Sequence, residues 1–145
     1  NTGRDTDMAI FLRDLYYDTK RKYNLNLISG GKGMENIVSW VYISEDISTS
    51  TFLNGGELII TTGVTSGERE DWLRAFIKEL IKRGTRGLIL NTGRYIFEED
   101  ITDEIVRLCH RYSFPLLPCH GTQGYSISPT TTTTGYLKTP GMMAT

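Results

Sequence analysis

Two short polar motifs close apolar runs in this chain. Thr61-Thr62-Gly63 follows the run at residues 58–60, and Asn91-Thr92-Gly93 follows the run at residues 88–90. Ligands of open α/β sheets usually bind where a strand passes into a helix, so hydroxyl, amide and backbone N–H groups at these points could hold a small polar molecule. The alternative is that both threonines only satisfy the hydrogen bonds of a strand-to-helix turn.

Charged residues near these motifs extend the candidate site. Glu45 and Glu57 lie at strand margins and could accept hydrogen bonds from the urea-like N–H groups of a purine breakdown product. Arg94 could pair with a ligand carboxylate, although it could equally be an exposed arginine beside Glu98 and Glu99. The predicted ligand-binding residues are therefore Glu45, Glu57, Thr61, Thr62, Gly63, Asn91, Gly93 and Arg94.

Other chemistry is less well supported by the sequence. The loop from Gly63 to Gly67 precedes a predicted helix, but it has no P-loop lysine and several acidic residues follow it, which argues against phosphate. Cys109-His110 and Cys119-His120 could supply four zinc ligands, yet their spacing matches no usual zinc pattern, and core cysteines with surface histidines are the default interpretation. No nucleophile with its base, and no carboxylate pair, stands out, so we expect neither an enzyme nor a cofactor or metal.

The elements that must position these residues alternate between strand and helix. Strand centres near residues 59, 89 and 116 are about 30 residues apart, with one helical pattern between each pair, as in βαβ units. Right-handed crossovers place the two polar motifs on the same edge of the sheet. The predicted fold is a single α/β domain with a mainly parallel sheet of about four to five strands and flanking helices.

Patterns outside the βαβ units predict further elements. An amphipathic helix is expected over residues 8–23 with Asp7 as its N-cap, followed by a short strand at residues 25–28. Residues 37–43 are apolar on nearly both faces, which predicts a central strand. Thr65 to Glu68 has capping-box spacing for a helix that ends at Gly84, and Thr102 could cap the next helix.

Composition limits the class of protein. The chain has 145 residues, of which 39% are hydrophobic, and a formal net charge of −1, so it offers no general attraction for nucleic acid. No apolar run approaches the roughly 20 residues of a membrane span, and we expect a cytoplasmic protein. Residues 1–7 are patternless and suggest a leader or expression remnant, residues 8–120 form the domain, and the Ser/Thr/Gly/Pro-rich residues 121–145 suggest a tail.

Between about Leu12 and Pro118 the chain resembles the N-terminal domain of the purine catabolism regulatory protein (PucR) family of bacterial transcription regulators. The motifs that carry the resemblance are Ile28-Ser29-Gly30-Gly31, Val38-Ser39-Trp40-Val41 with Ser44-Glu45, residues 55–63, Gly84-x-x-Gly87-Leu88 and Phe114-Pro115-Leu116.

The resemblance implies a regulatory domain that senses a small-molecule effector, for which purine catabolites are the first candidates. It also implies that DNA is bound only through a helix-turn-helix domain absent from this chain. By analogy with regulators that read palindromic DNA we expect a homodimer, to which apolar surface near Phe11 and Tyr17 could contribute. The alternative function is a protein-interaction or dimerisation module without a ligand.

Overall fold

A computed structural model describes residues 9–120. Short 3₁₀ turns connect several of the helices and strands. In chain order the helices and strands are β1 (Ile10–Phe11), α1 (Leu12–Tyr23), β2 (Ile37–Val38), β3 (Trp40–Ile43), β4 (Glu57–Thr61), α2 (Trp72–Lys82), β5 (Gly87–Thr92), α3 (Asp103–Arg111) and β6 (Leu116–His120).

The central feature is a four-stranded sheet in the order β3-β4-β5-β6, and each neighbouring pair is parallel. Helix α2 connects β4 to β5, and α3 connects β5 to β6. The predicted α/β class and the mainly parallel sheet are therefore confirmed. Because strand order never reverses, no crevice arises from a reversal of winding, and any ligand site must be formed by the loops themselves.

Alternate residues of the strands supply two separate cores. On β5, Ile89 packs into the cluster that contains Leu12 and Leu15 of α1. Its neighbours Leu88 and Leu90 pack with Phe76 of α2 and with residues of α3. Helix α1 therefore covers one face of the sheet, and α2 and α3 cover the other. Phe76 is fully buried, so its truncation to alanine should cost about 3–5 kcal/mol.

The predicted strand at residues 25–28 is replaced by two isolated bridges along the outer edge of β6. Leu25 pairs with Cys119 and Ser29 with Leu116, both antiparallel. Pro118 lies between these partners and has no N–H to donate, which explains why the ladder is interrupted. Gly30 follows with φ +77°, and an added Cβ would overlap the backbone of Phe114. This close approach accounts for the glycine after Ser29.

The prediction of one central strand over residues 37–43 is wrong in two respects. The segment breaks at Ser39 into β2 and β3, and β3 is an edge strand of the sheet. The break lets β2 pair antiparallel with β1. Apolar residues on both faces indicated a buried centre, but Ile37 and Trp40 remain 47% and 40% exposed.

Two predicted helix starts are also wrong. Helix α1 begins at Leu12 instead of residue 8, because Ile10 and Phe11 are extended to pair with β2. Helix α2 begins at Trp72, and Thr65 makes no capping bond to it. Thr65 instead donates its hydroxyl proton to the carbonyl oxygen of Glu45, at 2.6 Å.

Two helix-end predictions are confirmed. Gly84 follows α2 in the left-handed conformation, with φ +78°. The Thr102 hydroxyl accepts a hydrogen bond from the Ile105 N–H, at 3.3 Å, at the start of α3. The expectations for Asp7, for the leader at residues 1–7 and for the tail at residues 121–145 lie outside the described residues.

Candidate functional site

The carboxyl ends of β4 and β5 lie side by side, since Thr61 pairs with Leu90 in parallel register. The loop after β4 (residues 62–71, the β4 loop) and the loop after β5 (residues 93–102, the β5 loop) therefore leave the same edge of the sheet, as the sequence predicts. Thr61, Thr62 and Gly63 meet Asn91, Thr92 and Gly93 at this edge.

The β4 loop is held by one carboxylate. Glu45, just beyond the end of β3, accepts hydrogen bonds from the Thr61 hydroxyl at 2.8 Å and from both the N–H and the hydroxyl of Thr62 at 2.9 Å. The Gly63 N–H adds a longer bond of 3.3 Å. These donors occupy both oxygens of the Glu45 carboxylate. Thr61, Thr62 and Gly63 are therefore bound to another predicted site residue, and these bonds fix the start of the β4 loop.

Gly63 fastens this loop to its neighbour. It is buried, with φ +76°, and an added Cβ would overlap the side chain of Ile96 in the β5 loop. Ile96 is itself only 2% exposed. The absence of a side chain at Gly63 therefore lets the two loops pack directly against each other.

The β5 loop has a different character. Gly93 donates its N–H to the Ile96 carbonyl oxygen at 2.8 Å, which makes a tight turn with Arg94 and Tyr95 exposed at its tip. The guanidinium carbon of Arg94 lies 5.4 Å from the centre of the Tyr95 ring. Arg94 forms no ion pair within residues 9–120, so its charge remains available to a ligand.

Asn91 is buried under this loop. Its side-chain oxygen has no hydrogen-bond donor among residues 9–120. The alternation along β5 places Asn91 on the α1 face with Ile89, opposite Cys119 of β6 in register. Thr92 instead donates its hydroxyl proton to the Cys119 carbonyl oxygen, at 3.3 Å. A buried amide oxygen without a donor is uncommon in folded proteins.

Glu57 is not brought to this edge. It begins β4, five residues of which span roughly 13 Å to Thr61. Its carboxylate accepts hydrogen bonds from the N–H groups of Asn54 and Gly55, at 2.8 and 2.9 Å. Glu57 thus stabilises the turn before β4, and a ligand contact there would be separate from the other predicted residues.

A hollow of about 410 Å³ lies between the two loops and the first turns of α2 and α3. Most of its polar wall is acidic. The charged residues that line it are Glu70, Asp71, Arg74, Glu99, Asp100 and Glu104. Trp72 and Tyr95 also line it, and the indole N–H of Trp72 has no acceptor among residues 9–120. Sequence reasoning did not assign these residues to the site, because Glu70 and Asp71 appeared as ordinary first-turn residues of a helix and Glu99 only as a neighbour of Arg94.

Part of this acidic wall is internally neutralised. Arg74 contacts Asp71 at 3.2 Å and Glu104 at 3.7 Å. The hydrogen bond from Arg69 is the main reason that the pKa of Asp71 lies below its ordinary value, and Arg74 contributes further. Glu70 and Glu99 form no ion pair within the described part of the chain, so they keep the hollow electronegative.

The two Cys-His pairs are separated in space. Cys109 packs in the core beneath α2 and α3, whereas Cys119 packs in the core on the α1 side of the sheet. Burial raises the pKa of each thiol to about 12. Within residues 9–120 no group of three or more potential ligands is placed to hold a metal ion. In the same range, no helix has the length and apolar character needed to cross a membrane.

Fold and site together define a small parallel α/β domain with a ligand-sized hollow at the carboxyl edge of its sheet. The fold is similar to the CBS and DRTGG domains of the regulatory region of Clostridium perfringens pyrophosphatase, a structure solved with the activator diadenosine tetraphosphate. The TM-score is 0.54 at 15% identity, over 83% of this chain and 48% of that one. At this identity the similarity concerns the fold alone.

The sequence identifies the family. The model of the purine catabolism regulatory protein-like family matches residues 16–127, and the chain belongs to this family. It is 36% identical over 94 residues to the purine catabolism regulatory protein of Bacillus subtilis (strain 168). That match covers 65% of this chain but only 17% of the relative, so the chain corresponds to a small part of that protein. The family indicated by the sequence motifs is thereby confirmed.

Proposed function

We propose that this chain is the N-terminal effector-sensing domain of a cytoplasmic transcription regulator that controls purine catabolism, and that it has no enzymatic role. Membership of the family supports the regulatory role. The DNA-binding domain would belong to the remainder of the protein, because the matched relative is several times longer than this chain. The net charge of −1 fits a domain that does not itself bind DNA.

The observation that carries the sensing role is the hollow between the β4 and β5 loops. Its volume of about 410 Å³ falls in the usual range for small-molecule sites. It is built from the two loops that leave adjacent parallel strands, the part of such sheets where ligands commonly bind. Glu45 fixes the start of the β4 loop, and the exposed Tyr95 of the β5 loop lines the hollow.

The wall of the hollow favours a ligand rich in N–H donors. Five carboxylates against one guanidinium repel anions and accept hydrogen bonds, and Glu70 and Glu99 have no cationic partner within residues 9–120. Purine breakdown products carry several urea-like N–H groups of this kind. Glu45 and Glu57, the acceptors named from sequence, are already satisfied by protein donors, so this role passes to the acidic residues of the hollow.

The effector would act by shifting the populations of two arrangements of the domain. A bound molecule bridges the β4 and β5 loops and thereby favours one arrangement of the domain within a homodimer. It can do so only if it binds that arrangement more tightly than the other. Asn91, Gly93 and Arg94 form or support the β5 loop, so we assign them to the responsive part of the site. Thr61, Thr62 and Gly63 hold its fixed wall.

A thermal-unfolding screen of the chain against purine-degradation intermediates, nucleotides and amino acids tests this proposal. A ligand at about one hundred times its dissociation constant should add roughly 2.7 kcal/mol, which raises the unfolding temperature by several degrees. A selective rise for one chemical class would support sensing. The absence of any rise from a folded sample would contradict it.

Two variants then locate the site. Glu99→Gln removes one acceptor charge from the hollow and should weaken binding of an N–H-rich ligand about tenfold. Glu98→Gln is the matched control, because Glu98 is the exposed neighbour of Glu99 but lines a different hollow. In a Trp40→Phe background, Trp72 becomes the only tryptophan, and its emission should change on binding. Equal loss in both glutamine variants would place the ligand elsewhere.

A dimerisation module without a ligand is the second candidate. Tyr17 is 67% exposed and Phe11 is 38% exposed, both at the α1 side of the molecule. Such aromatic surface is typical of contacts between protein copies. A stable dimer that no compound in the screen stabilises would favour this function.

A further inference from the structure

Helices α2 and α3 run in the same direction over one face of the sheet, and the groove between them carries opposite charges at its two ends. The hollow at their first turns shares Arg74 and Glu104 with a second hollow along the helices. The second hollow shares Lys78, Leu108 and Arg111 with a third hollow. The three hollows therefore form one continuous groove, which we name the α2–α3 groove. It follows the roughly 16 Å length of α2.

The end of the groove at the first turns is acidic. Glu70 and Glu99 line it, both are exposed, and neither forms an ion pair within residues 9–120. The opposite end is basic. Its exposed cations are Lys78, Lys82, Arg107 and Arg111, and none of them has an ionic partner in the described part of the chain.

Acidic first turns and basic last turns are also what helix dipoles favour. That effect would account for charges on each helix separately, at any position around its axis. It does not require the unpaired charges of both helices to line the same groove. Leu108, Ile81 and Tyr112 lie between the cations, and Tyr112 is 54% exposed, so the groove also offers apolar contact area.

We infer that a second copy of this chain binds along the α2–α3 groove. A two-fold axis through the middle of the groove places the acidic end of each copy on the basic end of the other, so the surface is self-complementary. A long polyanion such as nucleic acid would meet the acidic end and be repelled there. This pairing defines the contact face of the proposed homodimer. It therefore rests on the homodimer of the proposed function, but not on ligand binding. It also brings cations of the partner to Glu70 and Glu99, so the partner and a ligand in the hollow compete for these carboxylates.

Charge-reversal variants of the full 145-residue chain test this face by sedimentation equilibrium. Lys82→Glu with Arg107→Glu and Arg111→Glu makes both ends of the groove acidic, and Glu70→Lys with Glu99→Lys and Glu104→Lys makes both ends basic. Each triple variant should raise the dimer dissociation constant at least about tenfold, because like charges then face each other. An equimolar mixture of the two should restore dimers, since each then supplies the charge the other lacks.

Control variants distinguish this face from the aromatic surface of α1. Tyr17→Ser with Phe11→Ser should leave the dissociation constant unchanged, and circular dichroism verifies folding of every variant. The parent dimer should also weaken as salt increases from 50 to 500 mM, roughly, because the pairs are exposed. A parent chain that stays monomeric at low salt would refute the homodimer itself. Dimers that survive both reversals, or that are lost only in the Tyr17/Phe11 variant, would refute the α2–α3 face alone.

Discussion

Nearly the same motif, Thr-Thr-Gly or Asn-Thr-Gly, joins each of β4 and β5 to the loop that follows it, yet the two loops are held in different ways. The β4 loop delivers its hydroxyl and backbone N–H groups to the Glu45 carboxylate. Among residues 9–120 no carboxylate beyond the end of another strand binds the β5 loop, and its tip residues Arg94 and Tyr95 are exposed. One loop is a fixed wall and the other is available to respond.

The difference arises from the neighbouring strand. Beside β4 lies β3, which ends at Ile43, so that Glu45 reaches across to the β4 loop. Beside β5 lies β6, whose described part ends at His120 and offers a backbone carbonyl oxygen to Thr92. Similar motifs therefore acquire different roles through the groups that the adjacent strand and its C-terminal extension present to them. A ligand site inferred from the motif alone cannot distinguish the two loops.

Among changes to the two loops and their contacts, removal of the Glu45 carboxylate should have the largest effect. Glu45→Ala leaves the buried Thr61 hydroxyl and the Thr62 N–H without their carboxylate acceptor, which should cost about 3 kcal/mol in the free energy of unfolding. Glu45→Gln keeps one acceptor oxygen and should cost about half as much. Urea denaturation measures both.

Arg94→Ala is the matched control for this prediction. Arg94 is a charged residue of the other loop that is exposed and unpaired among residues 9–120, so its loss should change stability by less than about 0.5 kcal/mol. Similar costs for Glu45→Ala and Arg94→Ala would show that the two loops do not differ as described.

Gly63→Ala should have the next largest effect. The new Cβ both overlaps Ile96 and forces an alanine into a left-handed conformation, for a combined cost of about 2 kcal/mol. Adding Ile96→Val should recover part of this loss, because it removes atoms from the overlap. If the double variant is no more stable than Gly63→Ala, the contact between the two loops does not contribute.

The stability of the protein at alkaline pH tests whether solvent reaches the buried residues beneath the exposed β5 loop. Cys119 lies in register beside Asn91, and burial raises the pKa of its thiol from about 9 to about 12, as it does for Cys109. The unfolded chain loses these protons above pH 9 while the folded protein keeps them. The contribution of the two thiols to stability should therefore be constant below pH 9 and then fall by roughly 1–2 kcal/mol per pH unit.

Substitution of both cysteines by alanine should abolish this alkaline slope. Urea denaturation at pH 8, 9 and 10 measures it. A parent protein whose stability does not change between pH 9 and 10 would indicate that solvent already reaches both thiols beneath the loops.

Local patterns predicted the parallel core well. The strands near residues 59, 89 and 116 could be predicted because their formation depends on neighbours within a few residues. The same holds for the helix ends at Gly84 and Thr102. The break at Ser39 and the edge position of β3 could not be predicted in this way, because they depend on pairing with Ile10 and Phe11, which are distant in sequence. The late start of α2 likewise reflects a long-range bond, from Thr65 to Glu45.

Sequence order predicted that the two polar motifs share one edge of the sheet, and they do. None of the eight predicted ligand-binding residues lines the hollow beside that edge. Sequence order could not show that Glu45 would satisfy Thr61 and Thr62, since the two segments are sixteen or more residues apart. Nor could it show that Glu70 and Glu99, each placed before a helix, would face one hollow.

Amide hydrogen exchange, with and without the compound that raises the unfolding temperature most, would show whether one loop is fixed while the other responds. Without the compound, the N–H groups of Thr62 and Gly63 should exchange slowly and those of Arg94 and Tyr95 rapidly. The compound should slow exchange in the β5 loop and leave the β4 loop nearly unchanged. Protection confined to residues 24–26, 28 and 120, which line a separate hollow beside β6, or exchange at Thr62 as fast as at Arg94, would contradict this division between the two loops.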